Sequence, residues 1–530
     1  MSLSRRGFLG ALAAGAGACA HHELAGPFPK AIHETPPRYT VDVHCHVFNG
    51  SDLPISGFIE RIANLPTEVV DYVLRQFEQE IQMLAPTGVE ELGALGTTPL
   101  PQSRADKASP MIAQARPILK SLLPSVGSYL GSDIAVSIDN FLQVLDLVTR
   151  FRFEIAAELA RTYSTVDLFT PAMVDYDFWT VPDVPKTPIG TQLVVQAMVA
   201  KLSMKGGLPR APGARVHPLA PYNPLREIHA KILGQKDYRP FSPSGVFSAD
   251  SRYDCATAPP PPMPDGTGAF PAGTSAIDLV RFAIEQSGFV GVKIYPPVGF
   301  RPLDNATLGP THPEPDKNPA SLDLALRALY AYCEAEQVPI MSHTGPSNGF
   351  EPGFGMLGMP DNWRPVLAAY PALRLNLAHF GHLQGADTSR GAKACEAWIR
   401  QAAILMTAYP NVYADVGDSW LPVYKDYAAA FTATLKEIAG EFPVVKKRLM
   451  FGTDSWLNRL DPNSQFFVDA FTQALDQTFD PSVRHDVMGG NALRFLGFLD
   501  DSGAPAHSRA RKRLRAFYGA IAPPPWLGGS

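Results

Sequence analysis

Two histidines that close a short β-branched run are the clearest candidates for chemistry in this chain. The run is Val41-Asp42-Val43-His44-Cys45-His46. If it forms a strand, His44 and His46 point to one face and Cys45 points to the other, because successive side chains of a strand alternate. Two neighbouring neutral imidazoles supply half of a divalent-metal site. A His-x-His pair also occurs by chance, so the rest of the chain must supply further ligands.

Three more polar residues close later apolar runs. His343 ends the run 338–343, His379 ends the run 374–379, and Asp454 ends the run 448–454. In a barrel of parallel strands these side chains would meet His44 and His46 at the mouth formed by the carboxyl ends of the strands. Three histidines and one aspartate suit Zn²⁺ or a similar ion with an open position for water. Such an ion lowers the pKa of its bound water, and the remaining histidine can act as a base.

The alternation of apolar segments indicates the fold that would bring these strand ends together. Eight strand-like segments are separated mostly by helix-like segments, and the strands are expected at 39–46, 166–175, 215–222, 289–295, 338–343, 374–379, 412–416 and 448–454. The alternation predicts an α/β fold with parallel strands. The count of eight predicts a closed (β/α)8 TIM barrel. An open doubly wound sheet is the alternative.

A long segment with helical periodicity separates the first two predicted strands. Residues 51–164 are too many for an ordinary connection, so we expect a helical insertion after strand 1. The barrel then comprises 39–50 and 165–500, and residues 501–530 form a C-terminal helix with a Pro-rich tail. The insertion and the loops after the strands would determine which substrate the pocket selects.

The first 20 residues are expected to be an export signal. Arg5 and Arg6 precede Phe8-Leu9 and an Ala/Gly-rich run, a pattern typical of the twin-arginine route. Cleavage would follow Ala18 or Ala20, and a lipid anchor on Cys19 is the alternative. The expected location is therefore the periplasm, or the extracytoplasmic side of a membrane.

Composition restricts the class of partner. The chain has 530 residues, of which 45% are hydrophobic and 18% charged, and its net charge is −5. A mildly acidic chain is not expected to bind nucleic acid. After the signal, no run of about 20 apolar residues predicts a transmembrane helix. Four irregularly spaced cysteines predict neither a disulfide framework nor a zinc knuckle. The sequence leaves the oligomeric state open.

Seven motifs occur in an order that resembles a known family. They are VDVHCH, GFVGVKIYP, PIMSHTG, LNLAHFGH, NVYADVG, RLMFGTDSW and GGNALRFLGF. Their order and strand placement resemble the amidohydrolase superfamily, and within it the amidohydrolase-related group that includes aminocarboxymuconate semialdehyde decarboxylase. The resemblance covers the first strand and residues 166–498, and excludes the insertion and the C-terminal tail.

The resemblance implies a ligand set for one divalent metal ion. Its members would be His44, His46, His343 and Asp454, with zinc as the favoured ion and Mn²⁺, Fe²⁺ or Co²⁺ as alternatives. His379 would act as the catalytic base or electrophile facing the metal-bound water, and Asp454 would also accept a proton. Binuclear relatives place a carbamylated lysine at the position of Lys293. The related group has a lysine there that is not a ligand, so we favour a single ion.

A further group of residues is predicted to touch substrate, although each could instead serve packing or capping. Its members are Lys293, Tyr295, His217, Trp456 and His382. Lys293 would pair with a substrate carboxylate or belong to a buried charge pair. Tyr222 and Asp418 are weaker candidates. Asp42 could orient a metal ligand or cap the first strand.

The expected function is that of a metal-dependent hydrolase acting on an ester, lactone or amide carbonyl of a small molecule. The first alternative is non-oxidative decarboxylation of a small aromatic or unsaturated acid, as in the named relative. The second alternative is a non-catalytic barrel whose insertion binds a partner.

Overall fold

The computed structural model describes residues 23–28, 39–53, 81–102, 146–176, 185–232, 260–308, 319–345, 353–381, 392–419, 421–455 and 463–528. The expected export signal, Trp456 and His382 lie outside these residues, as does much of the segment 51–164.

Parallel strands form the centre of the molecule. They are β1 (Val41–Cys45), β2 (Leu168–Pro171), β3 (Arg215–Val216), β4 (Leu219–Tyr222), β5 (Gly291–Ile294), β6 (Ile340–His343), β7 (Leu375–Ala378), β8 (Val412–Asp415) and β9 (Leu449–Met450). Neighbouring strands pair in chain order, β1 to β3 in one sheet and β4 to β9 in another. Every pair is parallel. Val41, Val43, Leu168 and Ile340 are fully buried, as expected for strands covered on both faces.

Two parallel bridges join the sheets into a closed ring. Ala172 pairs with Leu219, so β2 continues beside β4, and Cys45 pairs with Ser455, so the chain beyond β9 returns to β1. β3 and β4 form one strand position that is interrupted at Pro218, because proline has no N–H for the ladder. The ring therefore has eight positions, and the predicted α/β fold with parallel strands is confirmed.

Helices follow most of the strands. They are Gly88–Leu95, Arg152–Thr162, Ile189–Met204, Pro224–Ile232, Ala276–Gln286, Pro319–Glu336, Arg364–Ala369, Ala392–Ala408, Lys425–Glu441, Val445–Arg448, Phe467–Thr478, Pro481–His485, Asn491–Phe495 and Arg509–Tyr518. Hydroxyl caps start several of them, as Ser275 does by accepting from the Asp278 N–H. Among the described residues, no helix has the length and apolarity needed to cross a bilayer.

A buried charged group joins three segments within the range 51–164. Arg152 donates from Nε to Asp52 Oδ2 (2.7 Å) and from Nη1 to Glu91 Oε2 (2.6 Å), and Nη2 meets Asp52 Oδ1. We call Arg152, Asp52 and Glu91 the Arg152 cluster. Helices Gly88–Leu95 and Arg152–Thr162 lie within the range 51–164 and contribute Glu91 and Arg152.

The C-terminal helix Arg509–Tyr518 covers the amino ends of the strands. Leu514 and Tyr518 belong to the same buried cluster as Val41, Leu168 and Leu219, which are the first residues of β1, β2 and β4. The opposite end, formed by the carboxyl ends of the strands, is where the polar residues converge.

Candidate metal centre

Three side chains converge where β1 ends and where the chain continues beyond β9. One ligand atom each from His44, His46 and Asp454 lies within 4.8 Å of the other two. Asp454 Oδ1 is 2.9 Å from His46 Nε2 and 3.5 Å from His44 Nε2. The strand periodicity places both imidazoles on one face, and closure of the ring brings Asp454 to them.

The outer nitrogens of both imidazoles are already engaged. His44 Nδ1 lies 3.0 Å from Asp415 Oδ1, and His46 Nδ1 lies 2.7 Å from the Ala172 carbonyl oxygen. A carbonyl and an ionised carboxylate only accept, so both Nδ1 atoms carry the proton and donate. Burial opposes ionisation of Asp415, but the neighbouring His44 ring lowers the pKa of this carboxyl below its ordinary value.

The inner nitrogens of both rings face the Asp454 carboxylate, and Lys293 Nζ lies 3.3 Å from His44 Nε2. Burial lowers the pKa of His46, and the hydrogen bond and charge of Asp454 oppose this shift. A neutral imidazole with its proton on Nδ1 has a lone pair on Nε2, and that atom can bind a metal ion. The donor set of two imidazoles and one carboxylate thus fits a divalent metal ion.

Asp415 is a candidate functional residue to which the sequence analysis gave no role. Besides His44, its carboxylate accepts from Asn376 Nδ2 (2.6 Å), the Gly417 N–H (2.8 Å) and the His379 N–H (3.1 Å). It is fully buried. It orients the His44 ring and fixes its tautomer, as carboxylates behind metal-bound histidines do. It is the last residue of β8. The sequence signal that could have identified it is therefore a carboxylate at the end of a predicted strand.

The backbone around the centre is tight and partly strained. A Cβ added to Gly417 would lie 2.6 Å from His44 Nδ1, and one on Gly452 would lie 2.7 Å from His44 Cβ. Asp454 and His379 have φ values of 50° and 68°, in the left-handed region that non-glycine residues rarely adopt. Strain of this kind concentrates at functional sites, where it holds a side chain in a position that an unstrained backbone would not provide.

His379 and His343 form a second pair of imidazoles beside the centre. His379 Nδ1 is 3.9 Å from Asp454 Oδ2 and 3.1 Å from the Gly417 carbonyl oxygen. Its Nε2 lies 2.9 Å from His343 Nδ1, and His343 Nε2 lies 3.0 Å from the Gly345 carbonyl oxygen. Burial lowers the pKa of His379 to about 3 and that of His343 well below its ordinary value. His343 is one ring farther out and is not among the three converging ligands.

Lys293 and Tyr295 both lie at this end of the barrel. Lys293 is buried at the centre of β5, and its Nζ is 3.3 Å from His44 Nε2. Burial lowers the pKa of Lys293 to about 8, although Asp454 and Asp415 oppose this. The Tyr295 ring centroid is 4.6 Å from that of His343. Tyr176, which was not predicted, interacts with the same group of residues. Burial raises the pKa of its phenol, and the charges of Tyr295 and Asp454 raise it further.

Two further acidic residues, Asp42 and Asp418, lie near the centre. Asp42 accepts from the Thr453 hydroxyl (2.6 Å) and from the Thr453 N–H (3.0 Å), so it anchors the residue before Asp454. Asp418 has a φ of 63°, and burial followed by the charge of Asp454 raises the pKa of its carboxyl well above its ordinary value.

The structure does not bring His217 or Tyr222 to this centre. His217 Nδ1 lies 3.0 Å from the Gly288 carbonyl oxygen and Nε2 lies 3.0 Å from the Tyr518 hydroxyl. The residue precedes Pro218, in the middle of an interrupted strand, and its ring packs against the C-terminal helix at the amino ends. The Tyr222 hydroxyl donates to the Ala325 carbonyl oxygen (2.6 Å).

A small cleft of about 20 Å³ lies beside His46. Its walls come from the segments after β1 and β2 and from helix Ile189–Met204. Asp52, which belongs to the Arg152 cluster, lies in the wall formed by the segment after β1.

The sequence profile of the amidohydrolase family matches residues 210–498, more than half of the chain, and the chain belongs to this family. A search of curated proteins gives no match.

Similar solved structures are distant. An amidohydrolase from Burkholderia multivorans is 16% identical and has a TM-score of 0.28, and the match covers 42% of this chain and 68% of that one. A Lactobacillus casei protein is 14% identical over 87% and 95% of the two chains, with a TM-score of 0.36. The IDCase of Metarhizium anisopliae is 14% identical over 65% and 78%, with a TM-score of 0.31.

Proposed function

We propose that this protein is a metal-dependent hydrolase that cleaves an ester, lactone or amide bond of a small molecule. One observation carries the proposal: one ligand atom each from His44, His46 and Asp454 lies within 4.8 Å of the other two. His44, His46 and Asp454 would hold one divalent ion, with zinc favoured by this mixture of nitrogen and oxygen ligands. When bound, the ion supplies a Lewis acid and an activated water near neutral pH.

The surrounding residues have separate roles in this proposal. Asp415 keeps the His44 proton on Nδ1, which leaves Nε2 available as a ligand. Asp454 Oδ2 and the neutral His379 ring can accept a proton from the attacking water and return it to the leaving group. His343 packs edge-on against the His379 ring and restricts its orientation. The Lys293 ammonium supplies positive charge where negative charge develops on the substrate oxygen.

The experiment combines metal analysis with an assay of bond cleavage. The purified full chain should contain one equivalent of metal by elemental mass spectrometry and should hydrolyse members of a panel of esters, lactones and amides. Chelation should abolish turnover, and Zn²⁺ should restore it. Two equivalents of metal per chain would contradict the single-ion assignment. Turnover that survives complete chelation would contradict the metal-dependent mechanism.

Non-oxidative decarboxylation is a second candidate, because a buried Lys293 ammonium beside the centre can pair with a substrate carboxylate. The two reactions differ in their use of water. Hydrolysis incorporates ¹⁸O from labelled water into the product, whereas decarboxylation releases CO2 without consuming water. Measuring both on any substrate that turns over assigns the reaction.

A further inference from the structure

An asparagine lies among apolar side chains in the interior of the barrel. Asn376 is the second residue of β7 and is fully buried. It is in register with Met341 on β6 and Tyr413 on β8, which both belong to a buried hydrophobic cluster. A buried amide is unfavourable unless its polar atoms have partners, because it has lost its hydration. The partners of Asn376 therefore indicate why an amide occupies this position.

The amide of Asn376 is satisfied at one of its two polar atoms. Nδ2 donates to Asp415 Oδ2 at 2.6 Å. Oδ1 is buried and has no hydrogen-bond partner among the described residues. The reversed amide would bring a carbonyl oxygen against the carboxylate, so the observed orientation is the favourable one. The fold thus keeps the bond to Asp415 although an acceptor beside it stays unpaired, which is unfavourable.

The donors around Asp415 divide between its two oxygens. Oδ1 lies 3.0 Å from His44 Nδ1 and accepts from the N–H groups of Gly417 (2.8 Å) and His379 (3.1 Å). Among the described residues, the donor to Oδ2 is Asn376. The terminal torsion of an aspartate is soft, so contacts to one oxygen alone leave the plane of the carboxylate poorly fixed. The bond from Asn376 fixes that plane.

The plane of the carboxylate matters because Asp415 holds the His44 proton on Nδ1. A carboxylate behind a metal-bound histidine orients the ring and raises its basicity only while the hydrogen bond between them is well aligned. If Oδ2 lost its donor, the buried carboxylate would turn toward other donors, and its alignment with His44 would suffer.

We propose that Asn376 is a positioning residue of the metal centre: by holding Asp415 Oδ2 it directs Oδ1 at His44 Nδ1, and so keeps His44 Nε2 available to the ion. The inference rests on the proposed function, in which His44 is a metal ligand. Asn376 acts through Asp415 and is not itself a ligand.

The test measures the Zn²⁺ dissociation constant of the full-length protein by chelator competition. Asn376→Leu nearly keeps the shape of the side chain and removes the donor. We expect the affinity for Zn²⁺ to fall about tenfold, the lower end of the range for groups that support metal ligands. Asn376→Ala removes the same donor without a branched side chain. It should lower the affinity likewise, and it supplies the measurement if Asn376→Leu does not fold.

Asn491→Leu is the matched control. Asn491 is also fully buried, and its Nδ2 donates to the Leu449 carbonyl oxygen (2.8 Å) at the start of β9, the opposite end of the barrel. Loss of this bond should lower the free energy of unfolding but leave the Zn²⁺ affinity of the folded protein within about twofold of the wild-type value. Zn²⁺ affinity is therefore a quantity that a merely structural asparagine does not change.

A double-mutant cycle tests the route of the effect. If Asn376 acts through Asp415, then Asn376→Leu should cause no further loss of Zn²⁺ affinity in a chain that already carries Asp415→Ala. Losses that add in full would show that Asn376 acts by another route, and would overturn the inference.

A second readout needs no metal. The His44 Nδ1 proton, bonded to Asp415, should give a downfield NMR signal in the metal-free protein, assigned by its absence in His44→Asn. The signal should shift or broaden in Asn376→Leu and stay in place in Asn491→Leu. An unchanged signal, or unchanged Zn²⁺ affinity, in Asn376→Leu would overturn the inference. Failure of the proposed function looks different: the signal would respond to Asn376→Leu, although the metal-loaded wild-type protein cleaves no ester, lactone or amide.

Discussion

The metal centre and the Arg152 cluster are both buried and polar, but their groups are satisfied in opposite ways. In the Arg152 cluster, guanidinium donors meet the carboxylates of Asp52 and Glu91 directly. At the candidate metal centre, the inner nitrogens of His44 and His46 converge on the Asp454 carboxylate, and the Lys293 ammonium lies beside His44 Nε2. The first arrangement pairs each carboxylate with the guanidinium, whereas the second gathers three atoms of the types that bind a divalent ion. The types of the converging atoms, more than burial, therefore distinguish the candidate functional site.

Removal of one metal ligand should have the largest effect. Asp454→Asn keeps the side-chain shape but removes the charge that balances the ion. We expect metal content near zero and kcat/KM lowered by about a thousandfold or more, because the ion contributes several kcal/mol of stabilisation. Elemental analysis and kinetics on the best substrate check this. Asp361→Asn, at a half-exposed pair with Arg364, should change neither quantity. Retained metal in Asp454→Asn would show that Asp454 is not a metal ligand.

Removal of the guanidinium from the Arg152 cluster should lower the stability of the fold rather than the metal content. Arg152→Met leaves the Asp52 and Glu91 carboxylates buried without a counter-charge. We expect the free energy of unfolding to fall by about 3–5 kcal/mol, measured by urea denaturation. Arg161→Met is the matched control on the same helix. Its pair with Glu158 is exposed, and such pairs contribute about 0–1 kcal/mol. If the folded fraction of Arg152→Met lost its metal, the two regions would not be independent.

Asp415→Asn tests the support behind the metal ligand. The asparagine cannot hold the His44 proton on Nδ1 by charge, so the ring loses orientation and basicity. We expect metal affinity to fall by about 10–100-fold in a chelator competition assay. The Arg152 cluster should be unaffected, so the chelator-treated variant should unfold within about 1 kcal/mol of the chelator-treated wild type. An unchanged metal affinity would remove Asp415 from the centre.

His217 shows a third arrangement, in which a buried ring has only neutral hydrogen-bond partners. Burial lowers its pKa to about 4, whereas the unfolded chain has the ordinary value of about 6.5. Below pH 6.5 His217 binds a proton in the unfolded chain, whereas in the folded chain it stays neutral until the pH approaches 4. Stability is therefore full above pH 6.5 and is lost as the pH falls toward 4. At pH 5 the loss is about 2 kcal/mol.

Urea unfolding at several pH values in the presence of chelator measures this effect without a contribution from metal release. His217→Asn should show a shallower dependence on pH than the wild-type chain between pH 7 and 5. Equal slopes for the two proteins would mean that His217 is not the titrating group.

Much of the fold follows from local patterns. Alternating apolar segments predicted eight strand positions, and the observed ring has eight, with the break at Pro218 falling inside the predicted third strand. The parallel arrangement was also predictable, since strands separated by helices must cross over. The histidines and the aspartate at the strand ends were also visible in the sequence, because each closes an apolar segment.

Local patterns were less informative about individual polar side chains. His217 and His44 are both buried histidines within or near a strand, yet they lie at opposite ends of the barrel. Lys293 was assigned to the pocket on its motif, whereas Asp415, in the NVYADVG motif, was given no role. A motif identifies the strand but does not state which atoms its side chains will meet across the barrel.

The sequence alone determined the strand periodicity, the parallel topology and the pairing of His44 with His46 on one face, because these depend on residues close together in the chain. Only the tertiary structure decided what surrounds them. Asp415, Asp454 and Ala172 lie far from β1 in the chain and reach it through closure of the ring. Those contacts set the imidazole tautomers. Hydrogen-bond complementarity depends on distances between atoms, which periodicity does not encode.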